Sequence, residues 1–189
     1  MQLVDLPIPG DAAAGPASLV LSTNGNGSVS TVNTTLATVA IAGRTHVYTA
    51  QPTTPVDSIF TNGIRLLGYD LRADGTLSQP GTVNARTSLD VTLYWKAAGP
   101  TADPLKATVQ LLSADGHLLA QADSEPGNGA APTTGWVAGE IVRSDHHLVL
   151  AGLSPGTGHL IVALYDPQTN QRVPTVDGDT VTLSAVTVP

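Results

Sequence analysis

The chain has 189 residues, no cysteine, and 15 acidic against 8 basic side chains, for a formal net charge of −7. These figures exclude a disulfide framework and thiolate chemistry, and they argue against a nucleic-acid partner, whose phosphates are held chiefly by clustered Lys and Arg. The length allows one domain to bury about two-thirds of its unfolded surface, and no run approaches the roughly 20 apolar residues of a membrane-spanning helix.

Charged residues make up only 12% of the chain, against abundant Thr, Ser, Val, Ala, Gly and Pro. That is the texture of exported bacterial β proteins, and it sets an extracytoplasmic location as the expectation. The first five residues, Met1-Gln2-Leu3-Val4-Asp5, lack the basic and apolar regions of a signal peptide.

Residues 1–16 are interrupted by Pro7, Pro9, Gly10, Gly15 and Pro16 and read as a linker or arm. Ala17 to Leu21 is a strand candidate. Asn24-Gly25-Asn26-Gly27 is the sharpest turn signal in the chain and predicts a hairpin pairing that strand with Ser28 to Val32. Thr35 to Ala42 and Thr45 to Ala50 are further strand candidates. Gln51 to Asn62, with Pro52 and Pro55, reads as a connector. This gives a soft boundary near residue 60, with residues 17–59 either extending the main domain or ending a preceding related unit.

The main domain, residues 60–189, opens with Ile64 to Leu71, whose alternation places Ile64, Leu66, Gly68 and Asp70 on one face. Leu89, Val91, Leu93 and Trp95 then alternate with Asp90, Thr92 and Tyr94, and Ala107, Val109 and Leu111 with Thr108, Gln110 and Leu112. A period of two puts one face of each strand in a core. Asp115-Gly116 predicts a tight hairpin into His117–Asp123. A proline- and glycine-rich excursion, Ser124 to Gly139, carries Trp136. Strands follow at His146 to Leu150, Gly158 to Tyr165, Gln171 to Pro174 and Thr180 to Val188. No stretch of 11 or more residues holds a helical apolar period free of Gly or Pro. The expectation is an all-β, two-sheet antiparallel sandwich, immunoglobulin-like or jelly-roll-like, with essentially no helix.

Several residues could carry a site. Trp136 is either a stacking platform for a sugar or a plug that fixes the long loop. As a platform it would have Gln121, Asp123, Glu125, Asp145, Tyr165 and Arg172 to hydrogen-bond hydroxyls. Asp166 and Asn170, with Asp177 and Asp179, are oxygen-rich and could hold Ca²⁺, although Asp beside Gly, Pro or Asn is also ordinary turn chemistry. His146 and His147 are adjacent and must face opposite sides of a strand, so the five histidines make no zinc pattern. Gly-x-Ser-x-Gly and phosphate-loop motifs are absent. Two carboxylates could meet anywhere on a sandwich to serve a hydrolase, and Glu125 and Glu140, the only glutamates, both lie in or beside the long loop.

Ile64-Arg65-Leu66-Leu67-Gly68-Tyr69-Asp70, Val91-Thr92-Leu93-Tyr94-Trp95, Asp115–Asp123, Pro132–Glu140 and Leu164–Pro174 carry a resemblance. From Gly63 onward the chain resembles the C-terminal extracytoplasmic β-sandwich of large bacterial membrane proteins, notably glycosyltransferase-like multi-spanning proteins of the Chloroflexi. The resemblance implies location and architecture rather than an activity, and it implies that Asp123, Asp145, Asp166 and Arg172 meet. Three functions are therefore open: a non-catalytic extracytoplasmic accessory module with a structural or spacing role in a cell-envelope protein, a carbohydrate-binding module, and a glycoside hydrolase. The partners would be a glycan or neighbouring domains.

Overall fold

The computed structural model describes residues 6, 8–24 and 31–189, and the chain divides into two compact units, Met1–Thr45 and His46–Pro189. In the first, β1 (Gly15–Asn24) pairs antiparallel with β2 (Thr31–Ile41), from Gly15 opposite Ile41 to Asn24 opposite Thr31. A hairpin is there as expected, but its register differs: Ala17–Leu21 pairs with Val39–Thr34 rather than with Ser28–Val32, and the predicted strand at Thr35 is part of the same partner strand. The Asn-Gly turn and Ser28–Ser30 lie outside the described residues. Neither strand carries a charged residue, and Val20, Leu21, Leu36 and Val39 are all exposed.

The second unit is all β. Its strands are β3 (Thr54–Ile59), β4 (Arg65–Ala73), β5 (Thr76–Leu77), β6 (Val83–Asn84), β7 (Ser88–Lys96), β8 (Lys106–Ser113), β9 (Leu118–Ser124), β10 (Ile141–Val149), β11 (Gly156–Tyr165) and β12 (Val181–Val188). A front sheet runs β10-β7-β4-β3 with β5 on β4, and a back sheet runs β6-β12-β11-β8-β9. All pairings are antiparallel except the short β6–β12 contact. The only helical turns among the described residues are two short 3₁₀ segments, Pro126–Gly129 and Thr133–Gly135.

The alternating aliphatics meet as the period of two requires. Leu89, Val91, Leu93 and Trp95 of β7 share one core with Ala107, Val109 and Leu111 of β8 and Leu160, Val162 and Leu164 of β11. The Trp95 ring lies 5.8 Å from Phe60 at 59°, and its Nε1–H donates to Ser144 Oγ at 2.9 Å. Tyr69 on the front sheet and Ser184 on the back sheet hydrogen-bond at 2.7 Å.

Four local readings are corrected. Gln51–Asn62 is not all connector: Pro55 lies in β3, an edge strand, where a missing N–H is tolerated. In β4 a bulge between Leu66 and Gly68 resets the alternation, so Leu66, Tyr69 and Leu71 are all buried. Gly68 consequently lies on the outer face, where a Cβ would collide with Pro52 and the Thr54 carbonyl oxygen. Thr45–Ala50 forms no strand; residues 46–53 form a strap instead. His46 Nδ1 lies 2.6 Å from Glu140 Oε2, Ile141 N–H donates to Val47 O at 2.6 Å, and Thr53 N–H donates to Asp70 Oδ1 at 2.6 Å. Gln171–Pro174 is likewise no strand, contributing only the isolated bridge Tyr165–Arg172.

Candidate ligand cleft

The long excursion between β9 and β10 packs inward. Trp136 is 1% exposed, and its Nε1–H donates to the Ala131 carbonyl at 2.9 Å. Thr133, also fully buried, accepts from the Leu105 amide at 2.9 Å and lies 2.7 Å from Thr101 Oγ1. A stacking platform must present a ring face to solvent, and this ring has none to present. The plug reading of Trp136 is the one its burial supports, and the stacking reading is withdrawn.

Five other predicted residues do come together. The outer face of the back sheet holds a cleft of about 220 Å³ lined by Gln121, Asp123, Tyr165, Asn170 and Arg172, with Thr108 and Gln110. Its shape follows from the strand register. Gln121, Gln110 and Ile161 stand side by side across β9, β8 and β11, and Lys106 stands beside Tyr165. Between these two tall rows lies a short one, Asp123, Thr108 and Ala163. The small side chains of that row leave a trough between their neighbours.

Arg172 closes one side from the β11–β12 connection. Its Nη2 donates to Gln110 Oε1 at 3.2 Å, and its Nη1 lies 3.5 Å from Asp179. On the other side Gln121 Nε2 donates to Asp123 Oδ2 at 3.3 Å, and the Tyr165 hydroxyl lies toward the same carboxylate. Burial first, then the charge of Asp123, pushes the Tyr165 phenol above its ordinary value. At the floor Thr108 is 4% exposed, and its hydroxyl has no hydrogen-bond partner among the described residues. Buried polar atoms without partners are rare in folded proteins, and each calls for an explanation.

The remaining predicted residues are elsewhere. Asp145 lies on the outer face of the front sheet, so it does not meet Asp123 and Arg172. Burial would raise its carboxyl, but hydrogen bonds from Thr92 at 2.7 Å and Asn128 at 3.1 Å, together with Arg143, more than offset this and hold it below the usual carboxylate range. Glu125 caps the first 3₁₀ turn by position and lines no part of the cleft. Glu140 is wholly buried against His46, with Oε1 accepting from the Val137 amide at 2.8 Å, and so it is closed to a substrate.

Asp166 spends its carboxylate within its own turn, accepting from the Gln168 amide and the Thr169 hydroxyl, both at 2.8 Å. Those bonds, the Gln168 amide first, hold it below its ordinary value. Four residues on, Asn170 at φ 57° belongs to the cleft lining already described, Asp177 donates its amide to Thr175, and Asp179 faces Arg172. Among the described residues no three His, Cys, Asp or Glu are gathered as for a metal. His146 and His147 take opposite faces: His146 is buried, with Nδ1 3.0 Å from Ala122 O, whereas His147 is exposed and 2.5 Å from Asp90.

The residues that sequence reading missed are Thr108 and Gln110. Their signal was their place in the β8 alternation, on the polar side of a strand whose apolar side is core.

No protein-family model matches the chain, and no curated protein matches it. Among solved structures, the crystal structure of the C-terminal domain of wzt matches with a TM-score of 0.52 at 14% identity, over 76% of this chain and 85% of that one. The likeness is one of fold: both are β-rich domains. No helix among the described residues is long and apolar enough to cross a membrane.

Proposed function

We propose that this is a non-catalytic β-sandwich accessory module that binds carbohydrate in the cleft over Thr108, as part of an extracytoplasmic, cell-envelope protein. The observation that carries the reading is the unpaired, buried Thr108 hydroxyl ringed by planar polar side chains. A sugar offers many hydroxyls, each both donor and acceptor. Amide, carboxylate and guanidinium groups on a rigid sheet can satisfy them at fixed angles.

The cleft volume of about 220 Å³ is below the roughly 300–1,000 Å³ of pockets that enclose drug-sized ligands. It suits one ring of a longer glycan lying across the sheet. The location rests on the composition of the chain and on its resemblance to envelope sandwiches, and a spacing role in a larger protein is compatible with both. The hydrolase reading has no support in the geometry, because the two glutamates do not face a common space.

A glycan array, followed by calorimetric titration of each hit, tests the reading. Binding is expected to disappear in Arg172→Ala and Tyr165→Ala while the far-ultraviolet circular dichroism stays that of a β protein. An array silent across cell-wall and storage glycans would leave only the spacing role.

A further inference from the structure

We infer that the cleft selects an uncharged sugar presenting two adjacent hydroxyls, and that Thr108 is the residue that sets this selectivity. The inference rests on the carbohydrate reading above and goes on to name the ligand class.

Geometry supports it first. Thr108 and Asp123 are directly opposed on β8 and β9, and such outer-face neighbours hold their Cβ atoms about 4.5–5.5 Å apart. Neighbouring hydroxyls of one ring can therefore reach both side chains. Asp123 already accepts from Gln121, and an ionised carboxylate has about four acceptor positions in all. It can take a hydrogen bond from one sugar hydroxyl. Thr108 can donate to that oxygen or its neighbour and accept in return, which supplies the partner its hydroxyl lacks.

Charge supports it second. The cleft's cation, Arg172, is shared between Gln110 and the Asp179 carboxylate, so little of its charge is left for an acidic ligand. Asp123 stands on the opposite wall. A uronate or phosphorylated sugar seated over Thr108 would meet the Asp123 carboxylate directly opposite on β9, whereas Lys106, the cation of the flanking row, stands two residues along β8, and like charges at close range repel.

The experiment uses affinity electrophoresis through gels containing mannan or dextran as neutral polymers, and polygalacturonate or alginate as acidic ones. The full 189-residue protein is run alongside Thr108→Val and Thr108→Ser, each with a melting curve. Retardation by a neutral polymer and not by the acidic ones is expected. Thr108→Val is expected to weaken it about tenfold, the cost of one hydrogen bond, with a melting temperature equal to or above wild type. Thr108→Ser should retain most of the binding.

Undiminished binding by Thr108→Val, or equal retardation by an acidic polymer, overturns the selectivity while leaving the carbohydrate reading in place. A clear fall in melting temperature for Thr108→Val would mean that the hydroxyl is paired within the fold, and would overturn the role given to it. No retardation by any of the four polymers overturns both readings.

Discussion

Two buried threonines teach how this sandwich separates structure from site. Thr133, in the loop between β9 and β10, is fully buried with its hydroxyl bonded to the Leu105 amide and close to Thr101. Thr108, on the outer face of β8, is nearly as buried, and its hydroxyl has no hydrogen-bond partner among the described residues. The first is a strut whose loss would orphan a buried amide. The second is a polar group kept under cover beside an opening, an arrangement that does nothing for the isolated fold.

The contrast can be broken at its strongest point first. Trp136 is, like Thr133, a buried side chain of this loop whose polar atom is paired, and Trp136→Ala should cost about 3–5 kcal/mol, the range for deleting a large buried aromatic. Denaturant unfolding measures this. A cost below about 1 kcal/mol would show the loop to be held by other means.

The isosteric pair comes next. Thr133→Val leaves the Leu105 N–H without its acceptor and should cost about 1–3 kcal/mol. Parallel thermal melts with the Thr108 variant would cancel the contrast if both moved in the same direction.

His146 tests the paired group by pH. It is buried and bonded to Ala122 O and Ser144. Burial, only partly offset by the Ala122 hydrogen bond and by Asp123 and Asp145, depresses its affinity for a proton. The unfolded chain, with an ordinary histidine pKa near 6.5, then binds more protons. Stability should be full above about pH 7 and fall as pH drops through that unfolded value towards the lower folded one. Melting temperatures at pH 8 and pH 5.5, in wild type and His146→Gln, should show a shallower dependence in the variant.

The smallest effect is expected at Thr108→Val, whose stability should stay within about 0.5 kcal/mol of wild type or rise slightly, because none of the described residues pairs with the lost hydroxyl. Ordinary equilibrium unfolding suffices to see it.

The fold was legible where a single force dominated. Strict alternation in β7 and β8 named their core faces correctly, because only one register buries all the aliphatics. It misled in β4, where the bulge after Leu66 changes the parity, and the sequence marks that only by Gly68. The strap escaped because Thr45–Ala50 has strand-like residues but touches the edge strand β10 at Val47 O and the Ile141 N–H without continuing as a ladder, and β3 was hidden by a proline that an edge strand tolerates.

The site was half legible. Gln121, Asp123, Tyr165 and Arg172 were named and do meet, but around Thr108 rather than Trp136. An aromatic in a glycine- and proline-rich loop looks the same in sequence whether it faces water or the core. Thr108 could not be singled out, since its distinction lies in the absence of a partner, which only three-dimensional packing reveals.

The strap has a consequence for mechanical load. Residues 46–53 are fastened at separate points, His46 to Glu140, Val47 to Ile141 and Thr53 to Asp70, before the first sheet strand begins at Thr54. Tension applied at His46 therefore meets these bonds one after another rather than a ladder loaded all at once. The eight residues pay out about 25–30 Å of extended chain while the two sheets and the cleft over Thr108 remain intact. The strap thus acts as a short extensible tether in series with a stiff body, so a modest pull lengthens the chain without deforming the surface proposed to hold the glycan.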